Sequence, residues 1–214
     1  MEEPAGGTRS RRTQAQRRAG TRRQLLDAAL ECLVDHGYAG TTTTQVAERA
    51  GVSRGAQLHH FPTRADLVAA TIEHLFERMR CDYQQAFSRA GSADAGVAVD
   101  LLWSIFEQRD FAAVLELYVA ARTDADLRER LAPVAEAHQR RVYELAREFF
   151  PHVPTDARDD VLRTVLDAMQ GMAVGGFSPA GTPDRDARLG ALRRLALRAI
   201  GDSESAGRER RVAS

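Results

Sequence analysis

The sequence predicts an all-α protein: a small N-terminal unit of three helices followed by a larger helical domain. Three observations predict it. Apolar residues recur at threes and fours through most of the 214 residues, the helical period, and no stretch alternates convincingly as a strand would. Glycine, proline and Ser/Thr/Asp residues fall between these segments, where helix ends and caps belong. Residues 41–67, TTTTQVAERAGVSRGAQLHHFPTRADL, pack two short helices around a glycine turn and close them with a proline.

The first element spans Arg22 to Asp35, with Leu25, Leu26, Ala29, Leu30 and Leu33 on one side. A threonine at 42 or 43 caps the next, contributing roughly 1 kcal/mol; Val46, Ala47 and Ala50 give it a narrow inward stripe. Gly51 suits a left-handed helix end. Val52 fits the buried residue of the turn, and Ser53 is a good N-cap for the helix after it. Pro62 ends that helix and pushes Phe61 towards extended geometry. Thr63 and Asp66 read as a variant capping box opening a long helix, Arg64 to about Ala90, which the Gly91-Ser92 pair ends. The two short helices have the anatomy of a helix-turn-helix, whose second helix lies in the major groove of DNA.

Five further helical segments are expected at roughly 94–108, 111–122, 125–150, 156–174 and 184–200. Breaks are placed at Asp110, Thr123-Asp124, Pro151 to Pro154, and Gly175 to Pro183, and Pro133 predicts a kink or restart. In domain terms, 1–18 reads as a basic, disordered arm, 19–66 as the DNA-binding unit, 67–201 as the larger domain and 202–214 as a frayed tail. Val161, Leu162, Val165, Leu166, Met169 and Met172 form one apolar stripe, and Leu189, Leu192, Leu195, Ala196 and Ala199 another. These are expected at a homodimer interface of four helices; the alternative is packing inside one subunit.

Charge and composition narrow the function. Net charge is zero, and every one of the thirty basic residues is arginine. Residues 1–24 nevertheless hold seven arginines against Glu2 and Glu3, a concentration of positive charge where phosphates could arrive. The arm either follows the DNA backbone or enters a minor groove, or is a solvated tail. Neither a membrane span nor a signal peptide is expected, so the protein is placed in the cytoplasm. Cys32 and Cys81 lack metal-ligand spacing and read as small hydrophobes in helices. No metal site is expected at His59 and His60, because adjacent helical residues diverge by about 100°. An enzyme is not expected: no nucleophile–base–acid set or phosphate loop is present, and no cofactor is implied.

Residues 21–67 resemble the DNA-binding domain of the tetracycline-repressor (TetR) family of bacterial transcriptional regulators. The matching pieces are TRRQLLDAALECL from Thr21, HGYAGTTTTQVA from His36, AGVSRGAQLHHF from Ala50 and PTRADL from Pro62. The resemblance implies a homodimer on a palindromic double-stranded DNA operator, recognition helices about one DNA turn apart, and a small apolar effector in the larger domain. It places Arg54, Gly55 and Ala56 at the exposed start of the recognition helix, and His59 and His60 at groove or backbone contacts. Thr43, Thr44 and Arg64 are candidate phosphate contacts; the threonines could equally serve only as caps and Arg64 could be solvated.

The chain departs from the family pattern at Gln57 and Leu58, where an apolar residue and a tyrosine are usual. Both positions can share the face of Phe61. The expectation is that Leu58 packs inward and Gln57 turns to the groove, where its amide could pair with adenine. Trp103, Phe106, Tyr118 and Met169 are the candidate effector-pocket residues, read against the alternative of simple core. The expected function is thus a sequence-specific regulator, a repressor released by an effector. The alternative is an architectural DNA-binding protein without one, which would show similar affinity for unrelated duplexes.

Overall fold

The computed structural model describes residues 13–91, 94–175 and 185–212, and every regular element among them is an α-helix. In order these are α1 (Gln14–Gly40), α2 (Thr43–Ala50), α3 (Arg54–His60), α4 (Arg64–Ala90), α5 (Ala95–Phe106), α6 (Arg109–Ala120), α7 (Ala125–Phe149), α8 (Thr155–Gly175) and α9 (Arg185–Val212). None is long and apolar enough to cross a membrane among the described residues.

The N-terminal helices are set by local chemistry. Thr42 caps α2 in a reciprocal box with Gln45, and Gly51 ends it at φ 67°. The Ser53 hydroxyl accepts from the Ala56 amide to open α3, and Phe61 leaves that helix extended, ahead of Pro62. Thr63 and Asp66 form the expected box at the start of α4, which Gly91 ends at φ 68°. Each device satisfies amide or carbonyl groups that a helix end would leave without partners.

Several boundaries differ from expectation. The first helix begins at Gln14, eight residues before Arg22, because Thr13 and Gln16 make a capping box inside the stretch read as aperiodic. The break expected at Asp110 lies at Glu107 and Gln108 instead. Asp110 itself sits in the first turn of α6, where negative charge complements the helix dipole, and pairs with Arg78. The α7 helix runs from Ala125 to Phe149 with Pro133 inside it, without the expected restart. At the C-terminus α9 continues to Val212, through the segment expected to fray. Most of the Gly175–Pro183 loop lies outside the described residues.

Among the described residues, two apolar cores position the site, and a third cluster gathers Tyr83, Phe87, Ala98 and Leu145. The small one joins Leu25, Leu26, Ala29 and Cys32 of α1 to Val46, Phe61 and Leu67. The large one gathers residues of α4 to α9, among them Phe76, Val99, Trp103, Leu117, Leu127, Met169 and Leu192, with Leu30 and Leu33 of α1. Helix α4 serves both, through Leu67 at its start and Val68, Ile72, Leu75, Phe76 and Met79 beyond. The stripes expected at a dimer surface are largely internal: Val165, Met169, Met172, Leu189, Leu192 and Ala196 are buried within the subunit. What α8 and α9 leave outside are Val174, Leu195 and Leu197, 56%, 59% and 45% exposed.

Candidate functional site

Helix α3 turns one face into the small core and leaves the other bare. Ser53, Arg54, Gly55, Leu58 and His59 are exposed, whereas Ala56 and His60 are half-buried. Thr44 is exposed beside them, and Thr43 is half-buried at the start of α2. Neither is the cap, which is Thr42. The candidates Thr44, Arg54, Gly55 and His59 therefore share the solvent with no competing role in the described contacts.

The expectation for Gln57 and Leu58 is overturned. Gln57 is fully buried, and Leu58 is 44% exposed. The Gln57 Nε2 donates to the Phe61 carbonyl at 2.9 Å. That carbonyl lies just past the end of α3, where the helical ladder no longer supplies an amide four residues on. A long amide side chain four residues earlier supplies the donor through Nε2, while its Oε1 is buried without a hydrogen-bond partner. Leu58, one residue on, is rotated out of the core.

Arg64 is also claimed by the protein itself. Its guanidinium lies 3.9 Å from the centre of the Tyr38 ring and donates through Nη2 to the Tyr38 carbonyl. It is half-buried, where a phosphate contact or free solvation was expected. Tyr38 is the hub of a junction between the two cores. Its amide donates to Glu116 Oε1 at 2.5 Å and its hydroxyl to Asp124 Oδ2 at 2.6 Å, joining α1 to α6 and to the cap of α7. Gly37, at φ 66°, lets the Glu116 carboxylate approach; a Cβ there would stand 2.5 Å from Glu116 Oε1. Burial first, and then the bond to Asp124, push the Tyr38 hydroxyl up to about 12, so it remains a donor. The Leu127 amide and then the Tyr38 hydroxyl hold Asp124 below the usual carboxylate range.

Positive charge gathers beside α3. Arg22 lies 5.5 Å from the centre of the Phe61 ring, and Arg17, Arg18 and Arg23 are exposed along α1. His60 titrates below its usual value, chiefly through burial, then through the charges of Arg18, His59 and Arg22. A neutral His60 among arginines suits a surface whose charge is carried by guanidinium groups. Among the described residues, no group of three or more His, Cys, Asp or Glu could hold a metal ion.

The larger domain encloses a cavity of about 420 Å³, within the usual range for small-molecule sites. Phe76, Met79 and Tyr83 of α4 form one wall; Phe106, Phe111, Tyr118, Phe149 and Phe150 are among the others. Of the four candidate pocket residues, Phe106 and Tyr118 line it. Trp103 and Met169 do not: they are 7% and 0% exposed in the core, and Trp103 stacks on Phe106 from behind. The sequence reading missed His138, which lines the cavity and stacks on Phe76 with ring centres 3.8 Å apart. The helical spacing of Val134, His138 and Val142 was the available signal. It also missed Arg158, a buried arginine that bonds the Val153 and Phe150 carbonyls at 3.1 and 3.3 Å; no local pattern marks it.

The comparisons with known proteins agree with this architecture. The family described as "Bacterial regulatory proteins, tetR family" matches residues 25–71, the first helix through the start of α4. The HTH-type transcriptional regulator CymR of Pseudomonas putida is 34% identical over 168 residues, covering 77% of this chain and 83% of CymR. An HTH-type transcriptional regulator of Mycobacterium tuberculosis is 36% identical over 138 residues, 64% of this chain and 71% of the relative. Among solved structures, a transcriptional regulator from Rhodococcus sp. Rha1 superposes with TM-score 0.66 at 20% identity, over 86% of this chain and 97% of that one. The multidrug binding protein EbrR, complexed with imidazole, does so with TM-score 0.58 at 20% identity, over 84% and 94%. An exposed recognition helix on a capped three-helix unit, a helical body and a relative matched over most of its length lead to one conclusion: the chain is a DNA-binding transcriptional regulator of the TetR family.

Proposed function

We propose that the protein is a repressor that binds a palindromic operator as a homodimer and leaves it when a small molecule fills the cavity. The observation that carries this reading is the double duty of α4, whose start shares the small core with α1, α2 and Phe61 at the end of α3, and whose middle forms a wall of the cavity. A ligand that favours one tilt of α4 changes where the recognition helix points. It can do so only through unequal affinity for the two tilts. The multidrug binding protein EbrR, whose structures are complexes with imidazole and with malachite green, supports a ligand role for a body of this shape.

In the DNA complex, Arg54 forks to guanine or clamps a phosphate, while Gly55 and Ala56 let the backbone approach the groove. Leu58 and the Ala56 methyl face thymine methyl groups, His59 and His60 meet the groove edge, and Thr43 and Thr44 contact phosphates. Arg64 acts by positioning α4 against Tyr38. The homodimer uses apolar residues that α8 and α9 leave outside, Val174, Leu195 and Leu197. Two-fold symmetry then sets the recognition helices roughly 34–36 Å apart.

Selection of bound sequences from random duplexes, followed by competition against unrelated DNA, tests the reading. The expected result is a palindromic site preferred by 10³-fold or more, roughly the lower range for specific regulators. Equal affinity for unrelated duplexes would favour the architectural alternative. Leu195→Glu combined with Leu197→Glu is expected to give a monomer in light scattering, with operator binding lost alongside.

A further inference from the structure

We propose that the cavity takes an uncharged aromatic molecule carrying a hydroxyl or carbonyl group, which the His138 imidazole and the Tyr118 hydroxyl receive. This rests on the reading of the protein as an effector-controlled regulator, and names the class of effector.

The charged residues of the cavity are either paired within the protein or on residues exposed to solvent. Arg80 donates to Glu77 at 2.6 Å and to Gln84 at 3.2 Å. Arg158 spends its Nη atoms on two carbonyls and the Thr155 hydroxyl, and its charge is paired with Asp159, whose Oδ1 stands 3.5 Å from Nε without a hydrogen bond between them. Arg163 donates to the Tyr143 hydroxyl at 3.4 Å. The carboxylates that line the cavity, Glu136 and Asp167, are on exposed residues in contact with water. An ionic ligand entering the aromatic interior would give up its hydration, while the lining charges, among them Arg163, Glu136 and Asp167, are paired or stand on residues exposed to solvent, which is unfavourable.

Hydrogen-bonding capacity without charge is what remains. No hydrogen bond joins either His138 ring nitrogen, or the Tyr118 hydroxyl, to another described residue. Burial depresses His138 to about 4, so at neutral pH the ring offers one donor and one acceptor. Burial also raises Tyr118, which keeps its proton. Both side chains line the cavity, with Phe76 flat against one face of the imidazole. Aromatic walls with a few convergent neutral polar groups select a planar apolar body with a single polar handle.

The test uses three bicyclic probes of similar size at pH 7 by titration calorimetry: 2-naphthol, 2-naphthoate and N-methylquinolinium. The naphthol is expected to bind at least tenfold more tightly than either ion. His138→Phe is expected to weaken naphthol binding about tenfold, the scale of one buried hydrogen bond, and Tyr118→Phe to weaken it less. Circular dichroism checks that each variant folds; if His138→Phe does not, Tyr118→Phe carries the comparison. An ion that binds as tightly as the naphthol, a naphthol that does not bind, or an affinity unmoved in every folded variant overturns the proposal. A gel shift with operator DNA on the same samples separates it from the regulatory reading. Naphthol that binds while the operator complex persists overturns induction and leaves the ligand class standing.

Discussion

The three-helix unit and the larger domain are held by different kinds of contact. In the first, each turn is closed by partners three or four residues apart: Thr42 with Gln45, Ser53 with the Ala56 amide, Gln57 with the Phe61 carbonyl, Thr63 with Asp66. In the second, the features that matter join distant segments, such as Phe76 with His138 and Tyr38 with Glu116 and Asp124. Local closure makes a rigid reading head of few residues. Non-local packing makes a body that encloses space.

Four substitutions or conditions sharpen this contrast, taken from the largest expected effect. Arg54→Ala is expected to weaken operator binding by about 1–3 kcal/mol for each half-site, with the melting temperature unchanged, because the side chain is exposed and holds nothing in place. Fluorescence anisotropy alongside a thermal melt reads both. Gly37→Val is expected to cost about 2–3 kcal/mol of folding stability in a denaturant titration. It combines a left-handed backbone with a side chain forced against the Glu116 carboxylate that holds the Tyr38 amide.

Gln57→Ala is expected to lower stability by about 2 kcal/mol, since the Phe61 carbonyl loses its donor and a space opens in the small core. The preferred operator sequence should not move; a changed base preference would return Gln57 to the groove. The smallest effect is on acid stability. The folded protein holds His138 near 4 and the unfolded chain near the ordinary 6.5, so between these values the unfolded state binds the extra proton. Stability contributed by neutral His138 is complete above pH 6.5 and declines as pH falls towards 4, by about 1–2 kcal/mol at pH 5. Chemical denaturation of the parent and His138→Phe at pH 7 and pH 5 should show the variant losing less.

The same contrast explains what was legible in the sequence. Caps, the Gly51 turn and the Pro62 stop are chemical statements made within a few residues, and the structure places them where the pattern does. Gln57 and Leu58 were misread because helical spacing offers both to Phe61. The deciding fact was a carbonyl past the end of α3 that takes its donor from the Gln57 side chain. Thr13 with Gln16 is the same kind of signal, hidden in an arginine-rich stretch that lacks apolar periodicity. In the larger domain, periodicity located the helices but not which aromatic residues border empty space. Phe106 faces the cavity and Trp103, three residues earlier, stands behind it, a distinction that depends on how helices far apart in sequence meet. The internal packing of Val165, Met169 and Leu192 has the same origin: an apolar stripe records that a face is covered and not by what.

The Tyr38 junction has a practical consequence for hybrid regulators. A graft that moves residues up to Pro62 onto the body of a relative would carry Tyr38 away from Arg64, Glu116 and Asp124. The transplanted head would then sit on a foreign shoulder with its hinge pin missing. Engineers exchanging operator preferences should transfer those three side chains with the head, or change only the outward residues of α3.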